Sequence, residues 1–278
     1  NNMPLIMEKE GLAVEFPPGV IKTSLWEQAW ERGHSHIEII IREANDLRSK
    51  RTITMDLAAE TAGTMFIEGK IYELSVRTYN YGDIPGSLKN ITGFIEPVPV
   101  IFNLTSRNPE ELSQFSLSGL RLNKETDNNP VLLGGTFDNL NKTFTFYTDK
   151  IGILTVGLVE NLVTMSLNMG NRLGKINGEL RESDVSPVIM DNHVMVPLRF
   201  IGEVMGAEFL WDGDTGTVTV KQGNKESKLK IGHPLPGLAA GPVLEKGRTL
   251  VPMGYIAESF GAHVMWFPNQ GTVYITKS

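Results

Sequence analysis

In the C-terminal part of the chain the spacing of apolar residues switches between a helical period and a period of two. Leu198, Ile201 and Met205 stand at i, i+3 and i+7, which places them on one face of a helix. Phe209 with Trp211, and then Val218 with Val220, alternate with other residues in the manner of strands with one buried face. The same succession returns in Met253, Ile256 and Phe260, then Val264 with Trp266, then Val273 with Ile275. Between the strands of each pair lie turn residues, Asp212-Gly213-Asp214-Thr215-Gly216 and Pro268-Asn269-Gln270-Gly271, so each pair is predicted to be a hairpin.

The recurrence extends to residue identity. Val196-Pro197-Leu198-Arg199-Phe200-Ile201-Gly202-Glu203 returns as Val251-Pro252-Met253-Gly254-Tyr255-Ile256-Ala257-Glu258, an offset of 55 residues. The offset holds upstream at Pro187-Val188 and Pro242-Val243, and downstream at Trp211 and Trp266. Pro197 and Pro252 suit a helix start, where a missing N–H costs no hydrogen bond. Gly206 and Gly261 suit the left-handed position that ends it. Each copy therefore reads as strand, turn, helix, hairpin, with Pro197, Ile201, Gly206 and Trp211 matched by Pro252, Ile256, Gly261 and Trp266 as its structural core.

Before residue 160 the texture changes to short alternating runs separated by turn residues. Leu12 to Phe16, His36 to Ile41, Ile71 to Tyr79, Val98 to Leu104, Thr143 to Tyr147 and Ile153 to Val156 read as strands. Their spacing predicts an all-β sandwich. The boundary is placed across Gly157 to Asn161, giving a β-sandwich over 1–158 and an α+β domain of two strand-helix-hairpin repeats over 159–278. Trp26 to Trp30 reads as a short helix or a loop, and Asp56 to Thr64 is ambiguous.

Composition narrows the chemistry. The 278 residues carry 32 acidic and 26 basic side chains, a formal charge of −6, which is the wrong sign for a surface that grips a polyanion, so no nucleic acid partner is expected. No apolar run approaches the roughly 20 residues of a membrane-spanning helix, so no membrane insertion is expected. The first residues carry no leader pattern, which fits a processed or excised segment as well as a cytosolic start. With no cysteine there is no disulfide, no thiolate metal site and no cysteine nucleophile.

Residues Pro187-Val188, Val196 to Ile201, Gly206-Ala207 and Trp211-Asp212 resemble the copper amine oxidase N-terminal-like domain, a tandem module of Gram-positive surface proteins, over about 160–278. The resemblance implies an antiparallel sheet curled around helices and a noncatalytic module that accompanies surface-anchoring, S-layer, cell-wall or hydrolase domains. The second copy departs from the pattern at Gly254 and Phe267, where the family has Arg and Asp. Pro130 to Gly157, with Ile95 to Val100, resembles β-sandwich modules of clostridial surface proteins.

Candidate chemistry is sparse. His34 and His36 form an H-x-H pair without an identifiable third metal ligand. Asn80-Tyr81 is followed by Gly82 where a quinone-forming tyrosine motif wants an acid. No Gly-x-Ser-x-Gly elbow, phosphate loop or dinucleotide fingerprint is present. Asp212 to Gly216 lacks the later glutamate of a calcium loop and reads as a hairpin turn. Neither a catalytic residue, a cofactor nor a metal is assigned. Trp26 and Trp30, four apart, share a helix face that either packs or, with Tyr79 and Tyr81, forms a sugar-stacking surface. Arg199, with Gly254 as its counterpart, is a candidate for one ion pair.

The expected function is a noncatalytic, extracellular structural or attachment module of a Gram-positive cell-surface or secreted multidomain protein. The competing expectation is a carbohydrate- or cell-wall-binding module that uses exposed aromatics. The expected partners are cell-wall polysaccharide or other surface proteins. If Trp211 and Trp266 both fill core sites, Ala at either position lowers stability by about 3–5 kcal/mol, which equilibrium unfolding measures directly.

Overall fold

The computed structural model describes residues 3–43, 52–57, 61–80, 89–104, 116–123 and 126–278. The protein is mostly β, in several antiparallel sheets. It divides into two compact units, residues 1–162 with 278, and residues 163–277.

In the first unit, numbering strands in chain order, one sheet runs β1 (Leu5–Lys9), β2 (Leu12–Phe16), β7 (Gly93–Asn103), β11 (Thr143–Lys150) and β10 (Thr136–Asp138). The other runs β3 (His36–Glu43), β5 (Thr61–Tyr79), β12 (Gly152–Val159), β8 (Ser116–Asn123) and β9 (Thr126–Gly134), with β4 (Thr52–Leu57) and β6 (Lys89–Ile91) also on β5. The inward residues follow the period of two: Phe144, Phe146 and Thr148 of β11 are buried while their neighbours are half-buried. The sheets meet face to face, with the Tyr72 ring edge-on to Phe102 at 5.7 Å. Buried Arg121 of β8 reaches across to Thr148 and Asp149 of β11. Gly119 is required by this approach, since a Cβ there would lie 2.1 Å from the Phe146 ring.

Several sequence boundaries shift. The last strand continues through Gly157 to Val159, so the change of unit falls at Val163 rather than at 159. The ambiguous stretch around Asp56 to Thr64 holds the end of β4 and the start of β5; residues 58–60 between them lie outside the described residues. The unit is not purely β. A π-helical segment, Val20–Trp26, runs into α1 (Glu27–Glu31), which resolves the helix-or-loop alternative in favour of helix.

In the second unit, β13 (Val163–Asn168), β14 (Leu173–Ile176) and β15 (Glu179–Glu182) share a sheet with β23 (His263–Phe267) and β24 (Thr272–Lys277), in the order β15-β14-β13-β24-β23. A second sheet runs β16 (Val188–Met190), β17 (His193–Pro197), β22 (Arg248–Pro252), β21 (Val243–Glu245). A third runs β18 (Glu208–Asp212), β19 (Thr217–Gln222), β20 (Lys225–Lys230). Two helices, α2 (Leu198–Val204) and α3 (Met253–Phe260), follow β17 and β22 directly.

Pro197 and Pro252 stand at the N-caps, at the last position of a strand, where the extended conformation hands over to the helix. Gly206 and Gly261 take φ of 75° and 64°, the left-handed values that a side chain resists. Ile201 and Ile256 are fully buried in one apolar cluster with Leu198, Phe260, Val218 and Val273. At the centre, β17 pairs antiparallel with β22 so that Val196 lies opposite Val251, residues separated by the same 55 positions as the sequence recurrence. The outer pairings are reciprocal too: β19 is continued by β20, and β24 by β13.

One expected core position is corrected. Trp211 is 49% exposed, whereas Trp266 is half-buried and packs against the apolar cluster. Alternation puts Trp211 on the same side of β18 as Phe209. It stands opposite Val218 near the hairpin tip on an edge strand, where the core surface has given way to a cleft.

Truncation should follow burial rather than ring size. Ile201→Ala or Ile256→Ala is expected to cost about 2–5 kcal/mol, and Trp211→Ala less than about 1 kcal/mol, by urea unfolding of the second unit's transition. Gly119→Ala should destabilise the first unit by about 1–3 kcal/mol through overpacking. Equal losses for Trp211 and Ile201 would contradict the burial order.

Candidate functional site

The described residues of the second unit enclose a cleft of about 500 Å³, within the size range of small-ligand sites. Its floor is apolar: Leu198 and Phe200 from the first turn of α2, Phe209 from β18, Val218 from β19 and Val185 from the segment before β16. Phe209 approaches so closely that a Cβ on Gly202 would lie 2.4 Å from its ring. Trp211, Leu210 and Leu244, all partly exposed, form the rim.

Two strand edges border this space. Successive side chains of a strand point to opposite faces, so three consecutive lining residues, Phe209, Leu210 and Trp211, mean that the unpaired edge of β18 itself forms a wall. On the other side Arg248 and Thr249 of β22 lie beyond the end of β17, whose pairing stops at Pro197 opposite Leu250.

The charged groups of the rim pair with one another. The Arg248 guanidinium donates to Asp184 at 2.6 Å, and Glu182 accepts from Arg172 at 2.8 Å. Arg199 finds the expected ion-pair partner in Glu203 one turn along α2, but at 4.0 Å with both side chains more than half exposed, a contact worth little. The lining holds three carboxylates, Glu182, Asp184 and Glu203, against two guanidiniums. Among them sits Ser183, 2% exposed, whose hydroxyl has no hydrogen-bond partner among the described residues. Counted back from the matched prolines Pro187 and Pro242, Ser183 stands where the second copy has Leu238. That mismatch is readable in the sequence only once the prolines are used as the anchor.

The remaining sequence candidates are dispersed. Trp26 and Trp30 lie on the outer face of the helical segment in the first unit, 49% and 83% exposed, while Leu25 and Ala29 are buried. Packing is therefore not their role. Tyr79 is half-buried with its ring stacked on His36 at 5.2 Å, and Tyr81 lies outside the described residues. His34 Nδ1 is 2.8 Å from the Thr78 hydroxyl and His36 Nδ1 2.9 Å from that of Ser35. Among the described residues no three His, Cys, Asp or Glu side chains gather as a metal site.

Asp212 is consumed by its own turn. Its carboxylate accepts from the Thr215 hydroxyl at 2.7 Å and from the backbone N–H groups of Asp214 and Thr215. Those bonds, the Thr215 side chain first, hold its pKa below the ordinary value of 3.8.

Residues 175–275 match the family model of the copper amine oxidase N-terminal domain. The matched region is a noncatalytic part of that family, and it contains every residue that lines the cleft. No curated protein matches the chain.

A carboxylate whose pKa is depressed by folding contributes stability above its unfolded pKa and loses it as pH falls through the folded value. The Asp212 carboxyl, followed by carbon-detected NMR, should titrate with a midpoint below 3.8. The hairpin it closes should loosen only below that pH. A midpoint at or above 3.8 would contradict the turn.

Proposed function

We propose that the chain is a noncatalytic attachment and spacing module of an extracellular, multidomain surface or secreted protein of a Gram-positive organism. The observation that carries this reading is the exposure of Trp26 and Trp30 on one helix face. Leaving large apolar rings in water forgoes about 1.5–3 kcal/mol of burial for each, and four-residue spacing on a helix sets them side by side as a flat contact surface. Flat indole rings suit the C–H faces of sugar rings, so wall polysaccharide is the partner class proposed for this face.

Two further features support the reading. The match over 175–275 is to a noncatalytic domain. The recurrence at 55 residues coincides with the Val196–Val251 register and with the order hairpin, helix, hairpin around α2 and α3, which favours an α+β domain built of two copies. The facing sheets of the first unit are in keeping with the β-sandwich modules of clostridial surface and S-layer-type proteins that its sequence resembles.

Sedimentation with purified Gram-positive wall sacculi tests the proposal. The intact chain should be retained, and the Trp26→Ala/Trp30→Ala double variant should be retained at least tenfold less with its thermal unfolding unchanged. Failure of the intact chain to sediment with wall or wall polysaccharide would overturn the attachment reading.

A further inference from the structure

The two halves of the second unit differ in the segment that precedes the matched prolines Pro187 and Pro242. In the second half the loop from His233 to Gly241 folds back on itself, with the Leu235 N–H donating to the Ala240 carbonyl and the Leu238 N–H to the Leu235 carbonyl. It is anchored by the Gly232 N–H on the Pro242 carbonyl, matched in the first half by the Gly170 N–H on the Pro187 carbonyl. The loop lays Leu238 against α3, where an added Cβ on Gly254 would lie 3.2 Å from its side chain. Leu238 and Leu235 both join the apolar cluster.

In the first half the corresponding positions hold the opposite pair. Arg199 replaces Gly254 and Ser183 replaces Leu238, and it is against these residues that the cleft opens. Where the second half lays its own leucine beside a glycine, the first half has Ser183 and Arg199 in the corresponding sequence positions, and both line a cleft of about 500 Å³. Its lining includes a buried serine hydroxyl without a partner among the described residues and a guanidinium held only loosely by Glu203.

We propose that this cleft is a peptide-binding site, which takes a compact peptide segment of another chain and seats a branched aliphatic side chain where the second half seats Leu238. The apolar floor receives the side chain. The unpaired edge of β18 and the Arg199 guanidinium offer hydrogen bonds to its backbone. Its three carboxylates are matched by Arg199, Arg248 and the Arg172 that pairs with Glu182, so the site suits a segment without net charge. The site lies in the second unit, whereas Trp26 and Trp30 belong to the first.

The chain supplies its own probe. Because His233 and Gly241 lie against each other at the loop ends, a backbone-cyclised nonapeptide with the sequence of residues 233–241 copies the segment that fills the second half. Titrated into the intact protein, it should shift the Trp211 indole N–H resonance saturably, the resonance being assigned by its loss in Trp211→Ala. Alanine at the peptide position of Leu238 should weaken binding at least tenfold. The Ser183→Leu/Arg199→Gly variant rebuilds the self-filled pair and should lose binding while remaining folded. Leu244→Arg, on the exposed rim, should weaken binding in a chain whose core is untouched. An unmoved Trp211 resonance, undiminished binding by Leu244→Arg or by a folded double variant, or a shift of the same resonance by neutral cellohexaose instead of the peptide would overturn the proposal. None of these outcomes depends on retention by sacculi, so the two readings fail independently.

Discussion

The second unit depends on one antiparallel contact, the pairing of β17 with β22 across Val196 and Val251. Both residues are fully buried, and each strand ends in the proline that starts a helix. Fixing this pair therefore fixes where α2 and α3 begin. It also fixes which faces, Ile201 on one and Ile256 on the other, enter the common core. Every backbone group of a central strand must find a partner or be stranded without water. Two short strands answer that requirement by pairing with each other at positions the sequence makes equivalent. The hairpins that follow, continued by β20 and β13, close the same core from either side.

Where the sequence recurs at 55 residues, the positions that break the recurrence are informative. Several matched positions exchange one apolar residue for another within the same core, as Leu198 and Met253 or Val220 and Ile275 do. The exchange of Leu238 and Gly254 for Ser183 and Arg199 is different in kind, because it removes apolar volume from a wall and adds polar groups beside it. The first unit shows a separate departure from economy, an outward pair of tryptophans on a helix whose other face is buried. Both features place apolar surface where a folded chain alone has no use for it, which is the physical ground on which the attachment role is proposed.

Much of this was legible in the residues. The helix faces of Leu198, Ile201 and Met205 and of their counterparts follow from periodicity, and the glycine stops follow from the left-handed turn. β2 and the start of β11 coincide with their alternating runs. Trp211 was not legible, because alternation tells which side of a strand a residue takes but not whether anything covers that side. Its equivalent Trp266 is covered, so identity at the repeat position misled. Nor was the helix at Trp26 legible as an exposed face, since i and i+4 spacing alone does not say which face turns inward. The cleft needed the fold as well, for Ser183, Arg199, Trp211 and Leu244 come from four separate segments.

The central claim is that the two halves of the second unit are one cooperative body held at the β17–β22 contact. Native-state hydrogen exchange measures this most directly. The account predicts that the amides of β17, β22, β13 and β24 share one opening free energy, equal to that of unfolding the unit. A distinctly lower free energy confined to the half from β16 to β19, with β21 to β24 still protected, would contradict it.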